Sequence, residues 1–413
     1  MDSNQGTNTA ERGGARAAPP GNIADSRSSL SWRGWIIPVV YVIYGLIVAV
    51  ATPFVIIDFT NAAKEDEKFQ RTLALVGFIS MVISIPISLW GIVNHMICFT
   101  RPNLQKHIIR ILWMVPIYVL NSWFALRFPQ NEIYFDTIRE LYKALTIYNV
   151  VYYLVAFYDG VPDFDNRMAM KSEIKLPHPL CCLKKVPNKR TIRRCKLGVL
   201  NYAVVRIIAT IITIITHITG SYDEGDFSAG GAYSWLTGFL TFSEIWAIFS
   251  KNLLRKATKE ELKLLPRSTL QLLAVQCVVF FTHFQATILN ILASTGVIKT
   301  NTEWGFEDEF AFATMLQDLL ICIEMVAFAA LFTYAFDYQR YNTDEPRLSI
   351  QQIFKHMWTI SGLKSSINEH LSTRGNKSNS YQSTDLVRSE EPPAVDEVHP
   401  NLQYESPTEA RLV

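Results

Sequence analysis

Four ionisable residues stand inside long apolar runs of this chain: Arg206, Glu244, Asp318 and Glu324. A charge at the centre of a membrane span costs about 2.5–3.5 kcal/mol even on the permissive insertion scale. Left unpaired, the four would cost on the order of 10–14 kcal/mol, which rivals the whole stability of a typical protein. They must be paired, hydrated in a cavity, or neutral. Gln317 and Glu324 are seven residues apart and share a helix face, and Gln285 stands in the run before them. Two readings follow. In the first, Arg206 attracts an anionic solute into a polar cavity, with Glu244, Gln285, Gln317, Asp318 and Glu324 lining the path. In the second, Arg206 forms a buried bridge to Glu324 or Glu244 that only fixes helix register. Arg139, Glu140 and Lys143 fall within a turn or two of the end of their run, where snorkelling would carry their charges to the interface.

The elements that must position these residues are membrane spans. The chain has 413 residues, 49% hydrophobic and 18% charged, with a formal net charge of +2. That composition excludes a disordered protein, a collagen-like fibre and a small disulfide scaffold, and it gives no basic field for nucleic acid. Eight stretches are long enough to cross about 30 Å of hydrocarbon at 1.5 Å per residue. They are 35–57, 73–98, 108–126, 137–158, 198–219, 232–254, 270–292 and 310–336. The fold class expected is an all-α polytopic membrane bundle of eight spans. The first run follows a polar stretch, residues 1–34, expected to be a disordered tail, so a cleaved signal peptide is not expected.

Orientation follows from Lys and Arg in the short loops. The 159–197 loop carries ten of them, and 255–269 adds Arg255, Lys256, Lys259, Lys263 and Arg267. Between these two, 220–231 has three acids and no base, and 293–309 sets Lys299 against Glu303, Glu307, Asp308 and Glu309. The alternation places both termini in the cytoplasm and breaks with seven spans. A transmembrane domain at 35–337 is then followed by a cytoplasmic tail, 338–413. Leu348, Ile350, Ile353, Phe354, Met357 and Trp358 recur at helical spacing in 348–360. They predict an amphipathic helix, either on the inner membrane surface or packed on the bundle. The rest of the tail is polar and expected to be disordered, and its sequon at Asn376 is expected to stay unused.

Cys181 and Cys182 sit beside Lys184 and Lys185 in the basic loop, a setting that suits S-acylation. Unmodified thiols are the plain alternative. A zinc site from His178, Cys181, Cys182 and Cys195 is the third, although adjacent cysteines point apart and chelate one ion poorly. Enzymatic readings are weak: there is no Gly-rich phosphate loop, no nucleophile elbow and no facing aspartate pair within spans. No enzyme activity, cofactor or metal is expected.

Several segments carry a resemblance: His107–Leu126, Asp136–Asn149, the PHPLCC of the loop, LGVLNYAVVRI from Leu197, Tyr222–Ser228, FQATIL around Gln285, and Leu316–Met325. In this order, over 73–336, they resemble the organic solute transporter alpha family, in its transmembrane-protein-184 branch. The resemblance implies a seven-helix core matching segments two to eight, with 35–57 as one extra N-terminal span. It implies facilitative, ATP-independent movement of amphipathic anions such as steroid or bile-acid conjugates. It also implies a single-span beta-type subunit or a homo-oligomer as partner, besides the bilayer and a small organic solute. The transmembrane-protein-184 branch is tied to vesicle, endosomal or vacuolar membranes, which leaves endomembrane and plasma membrane both open. The rival reading is a non-transporting receptor or trafficking scaffold. For the loop, replacing Cys181 and Cys182 together with serine should abolish fatty-acid labelling of the protein; unchanged labelling would sink the acylation reading.

Overall fold

A computed structural model of the chain describes residues 23–61, 65–171, 188–220, 232–298, 309–343 and 346–358. Cys181, Cys182, His178, the outer segment 222–228 and the tail beyond Trp358 lie outside the described residues. Among the described residues there are twelve α-helices and two 3-10 turns, and no strand. The helices are α1 (Ile23–Thr60), α2 (Glu65–Ile97), α3 (Pro102–Leu112), α4 (Met114–Arg127), α5 (Glu132–Tyr158) and α6 (Phe164–Met170). They continue with α7 (Asn188–Ile218), α8 (Ala232–Ala257), α9 (Lys259–Leu262), α10 (Ser268–Ser294), α11 (Glu309–Ala335) and α12 (Ile350–Trp358).

Six segments are long and apolar enough to cross a membrane: Trp32–Thr60, Lys68–Ile97, Pro102–Arg127, Thr191–Ile218, Ser268–Ser294 and Glu309–Tyr341. Length and apolarity therefore give six, against the eight expected. The two that fall short, α5 and α8, have 27 and 26 residues. They are of spanning length at about 1.5 Å per residue. They miss on apolarity because α5 carries Arg139, Glu140 and Lys143, and α8 carries Glu244 and Lys251. Rows of large apolar side chains stay exposed along α1, α7, α8 and α10, including Leu46, Phe54, Ile211, Ile215, Phe239, Phe242, Phe284 and Ile288. Exposed apolar belts of that extent belong in hydrocarbon. The protein is an integral, multi-pass membrane protein.

α2, α4 and α11 pack on one another at the centre. α5 joins α4 to α7, α8 lies along α7, α10 lies along α11, and α1 rests on α2 from outside. Two proline breaks shape this arrangement. Pro116 in the first turn of α4 cannot donate to the Leu112 carbonyl, so Pro102–Arg127 runs as two helices meeting at Trp113. Pro86 inside α2 likewise leaves the Val82 carbonyl without its i+4 donor. The Tyr44 hydroxyl donates to Val82 O at 3.0 Å, and Tyr41 donates to Pro86 O at 2.8 Å. An unmet carbonyl in lipid costs several kcal/mol, so the α2 break gives α1 one anchor; Asp58 of α1 gives another, pairing with Arg71 of α2 and Arg127 of α4 at 2.8 Å each. α1 also begins at Ile23 rather than after residue 34, so the expected disordered tail is helical over its last part.

At the other end of the chain, α12 packs on α3. Ile353 is fully buried while Phe354 is 45% exposed. Arg110 donates through Nε and Nη2 to Met357 O at 3.1 and 2.7 Å, and Arg33 donates to Leu348 O at 3.0 Å. The amphipathic segment is therefore docked on the bundle.

Glycines are few, yet two allow close helix approach. A Cβ at Gly77 would lie 2.8 Å from Leu126 Cδ1, and one at Gly198 would collide with the Ser250 hydroxyl, 3.1 Å from Trp246 Nε1. Gly198 thus sets the spacing of α7 and α8. Gly198→Val should lower stability by about 1–3 kcal/mol, as overpacking does, read as a lower midpoint of thermal unfolding. Adding Ser250→Ala should recover part of the loss; no recovery would show that the contact does not set the spacing.

Candidate functional site

Asp136, Arg139, Glu140, Lys143, Arg206, Glu244 and Asp318 form one network across four helices, with α5 as its hub. Successive turns of α5 present Asp136, Arg139, Glu140 and Lys143 at i, i+3, i+4 and i+7, one face of the helix. Arg139 is 4% exposed and Asp318, on α11, 1%. The Arg139 guanidinium pairs with the Asp318 carboxylate through Nη1 and with Asp136 Oδ1 at 2.7 Å through Nη2. It also donates to Ser122 Oγ of α4 at 2.8 Å. This fork takes Arg139 into contact with α4 and α11 together.

The second half faces α7 and α8. Lys143 Nζ, 3% exposed, lies 2.7 Å from Glu140 Oε2 and 3.1 Å from Glu244 Oε1. Arg206 closes the ring from α7, at 3.2 Å from Glu140 Oε2 and 3.6 Å from Glu244 Oε2. Its Cζ lies 5.8 Å from the Tyr202 ring centre. The contacts of Arg206 are therefore the longest in the network, and its Nε is buried without a hydrogen-bond partner. Thr210 Oγ1, one turn along α7, and Ser243 Oγ, next to Glu244 on α8, are also buried and unpartnered.

Arg139, Glu140 and Lys143 correct the snorkelling expectation. They do not reach for an interface; they turn inward and carry the network. The opposite charges at i and i+1, and again three residues on, were visible in the sequence. Their partners on α7, α8 and α11 were not, because those contacts join residues far apart in the chain.

Of the two bridges proposed for Arg206, the one to Glu244 forms and the one to Glu324 does not. Glu324 instead accepts from Gln285 Nε2 across the α10–α11 interface. The remaining oxygens of that pair, Gln285 Oε1 and Glu324 Oε2, are buried without partners. Gln317 Nε2 donates to Thr282 O at 3.4 Å. Arg206, Glu244 and Asp318 thus belong to the α5 network, while Gln285, Gln317 and Glu324 form a second polar strip between α10 and α11.

The carboxylates of Glu132, Asp136 and Asp318 come within 4.8 Å of one another, a spacing that could hold a cation. The Arg139 guanidinium already pairs with two of the three, so a cation's charge is supplied by the chain itself.

Removing one member of a buried pair leaves an uncompensated charge, at a cost of about 3–5 kcal/mol. Asp318→Ala should therefore destabilise the protein by about that amount, with Asp318→Asn milder because the amide oxygen still accepts from Arg139. Thermal unfolding of the three purified proteins checks the order, and equal midpoints would remove Arg139–Asp318 as a structural pair.

Residues 73–341 match the model of the family described as Organic solute transporter Ostalpha. No solved structure matches the chain.

Proposed function

Because the chain belongs to the Organic solute transporter Ostalpha family, we propose that it is a facilitative, ATP-independent transporter of organic solutes, with amphipathic anions such as steroid conjugates as the substrate class. The observation that carries this reading is the unfinished end of the charge network. Arg206 Nε, Thr210 Oγ1 and Ser243 Oγ are buried polar atoms without partners. Unmet buried donors are expensive, and the charged or sulphated end of a solute would meet them. Arg139 differs: it is held by two carboxylates and a hydroxyl, and Asp318 serves to fix it. In this reading Arg206 is the solute's charge partner beside Glu244. The strip of Gln285, Gln317 and Glu324 offers a second polar stage along the path.

The topology belonging to this reading has eight spans with α5 and α8 inside the membrane and both termini in the cytoplasm. Support comes from the sign alternation of the loops and from the neutralisation of α5 and α8 within the bundle. The sequence segments favour the transmembrane-protein-184 branch. A beta-type subunit or a homo-oligomer remains part of the proposal, as does acylation at Cys181 and Cys182.

The test is uptake of a labelled steroid sulphate into proteoliposomes without ATP, for the wild type and for Arg206→Ala. Saturable uptake that follows the gradient is expected, and the substitution should lower it at least about tenfold, the equivalent of one lost 1.4 kcal/mol interaction, with the unfolding midpoint retained. A loss of uptake together with a lower midpoint would make Arg206 a structural bridge instead.

A further inference from the structure

A second cationic site lies apart from the α5 network, near the end of α8 that leads into α9. Lys251 of α8 is 7% exposed. Its Nζ has one hydrogen-bond partner among the described residues, the side-chain oxygen of Gln276 on α10. An ammonium has three donors and no acceptor, so two donors remain. The charge beside it has the same sign: Arg255, one turn further along α8 and exposed. No carboxylate pairs with Lys251 or Arg255 among the described residues. The cations of the α5 network are treated differently, since Arg139, Lys143 and Arg206 each meet two carboxylates.

Lys251, Asn252, Arg255 and Gln276 share a cavity of about 60 Å³ with the apolar Leu154 and Leu273. That is several times the space of about 10–15 Å³ that one water needs, and far below the roughly 300–1,000 Å³ of a drug-sized ligand site. It suits one small oxyanion and not an entire amphipathic solute. Leu273 is 53% exposed, so one edge of the cavity is apolar and faces outward. Exposed Arg193 and Arg194 of α7, Lys256 of α8 and Lys259 of α9 add cationic side chains around it, while Lys263 pairs with Glu260 at 2.7 Å.

We propose that Lys251, Arg255 and Gln276 form a binding site for a phosphate-type oxyanion, filled by the headgroup of an anionic phospholipid whose acyl chains lie along the exposed apolar rim at Leu273. A buried charge needs a partner of opposite sign, and none of the described residues supplies one here. Basic pockets between helices, facing the leaflet that carries anionic lipid, are where such headgroups bind. The choice of a lipid over a free ion rests on the topology proposed above, which puts this end in the cytoplasmic leaflet; the oxyanion chemistry does not.

The test is thermal unfolding of the purified full-length protein in detergent micelles with phosphatidylcholine alone, with added phosphatidic acid, or with added inorganic phosphate. Phosphatidic acid should raise the wild-type midpoint by about 2–4 °C. Arg194→Gln, an exposed change of equal charge, should keep that rise, and Lys251→Met should lose it. Lys251→Arg should retain it. In phosphatidylcholine alone Lys251→Met should unfold no earlier than the wild type, because it removes an uncompensated buried charge and keeps the apolar stem. Should Lys251→Met not fold, Arg255→Gln replaces it and must lose more of the rise than Arg194→Gln. A rise with inorganic phosphate equal to that with phosphatidic acid supports the oxyanion site with a free ion in it. No rise in the wild type, or an equal rise in Lys251→Met, overturns the site.

Discussion

The fork of Arg139 between Asp136 and Asp318 is the constraint on which the bundle depends. A guanidinium that is 4% exposed has no water to fall back on, and its two carboxylates and one hydroxyl come from α5, α11 and α4. Satisfying it therefore sets the rotation of three helices at once. Lys143, one turn along, extends the same demand to α8, and Glu140 extends it to α7 through Arg206. Hydrophobic burial cannot do this in a membrane, because lipid tails are as apolar as leucine. Charge pairing, close packing at Gly77 and Gly198, and carbonyls freed by proline supply the specificity instead.

The same logic explains which parts of the fold were legible in the sequence. Apolar runs located every long helix, since span length and apolarity are local properties. The charges on α5 were equally visible, but their role depends on partners contributed by α4, α7, α8 and α11, more than a dozen residues away in every case. Charges inside apolar runs can be read off the chain, and that makes Glu244 and Glu324 both candidate partners for Arg206. The side of the helix on which a neighbour lies cannot be counted. By sequence Glu324 is as good a partner for Arg206 as Glu244, while the fold turns it toward Gln285 on α10. Tyr41 and Tyr44 read as ordinary apolar-run residues, and only the carbonyls around Pro86 reveal why those hydroxyls matter.

α5 and α8 show how charge content is reconciled with a place in an apolar helical bundle. Counted alone, either helix is too polar to stand among the six most apolar segments. Within the bundle, Lys143 of α5 and Glu244 of α8 neutralise each other at 3.1 Å. Their polarity is thus an interhelical property, and α1 shows the opposite case. Its most apolar window has no buried residue, so its polar contacts are few: two tyrosine hydroxyls on α2, Arg33 on Leu348 O, and Asp58 at its end, paired with Arg71 and Arg127 at 2.8 Å each.

The network is graded, and the gradient has a direction. At the α11 side Arg139 meets two carboxylates and a hydroxyl, and Asp318 is almost fully buried, so the guanidinium there is already compensated. At the α7 side Arg206 faces its two carboxylates at 3.2 and 3.6 Å and keeps an unmet Nε. Those same carboxylates already hold Lys143 at 2.7 and 3.1 Å. Transfer of Arg206 from Glu244 to an incoming anion would therefore leave both Glu140 and Glu244 still paired. A charge that can change partners without stranding another is the requirement for binding and releasing an ion inside a low-dielectric bundle, which is why the proposed reading gives that part to Arg206.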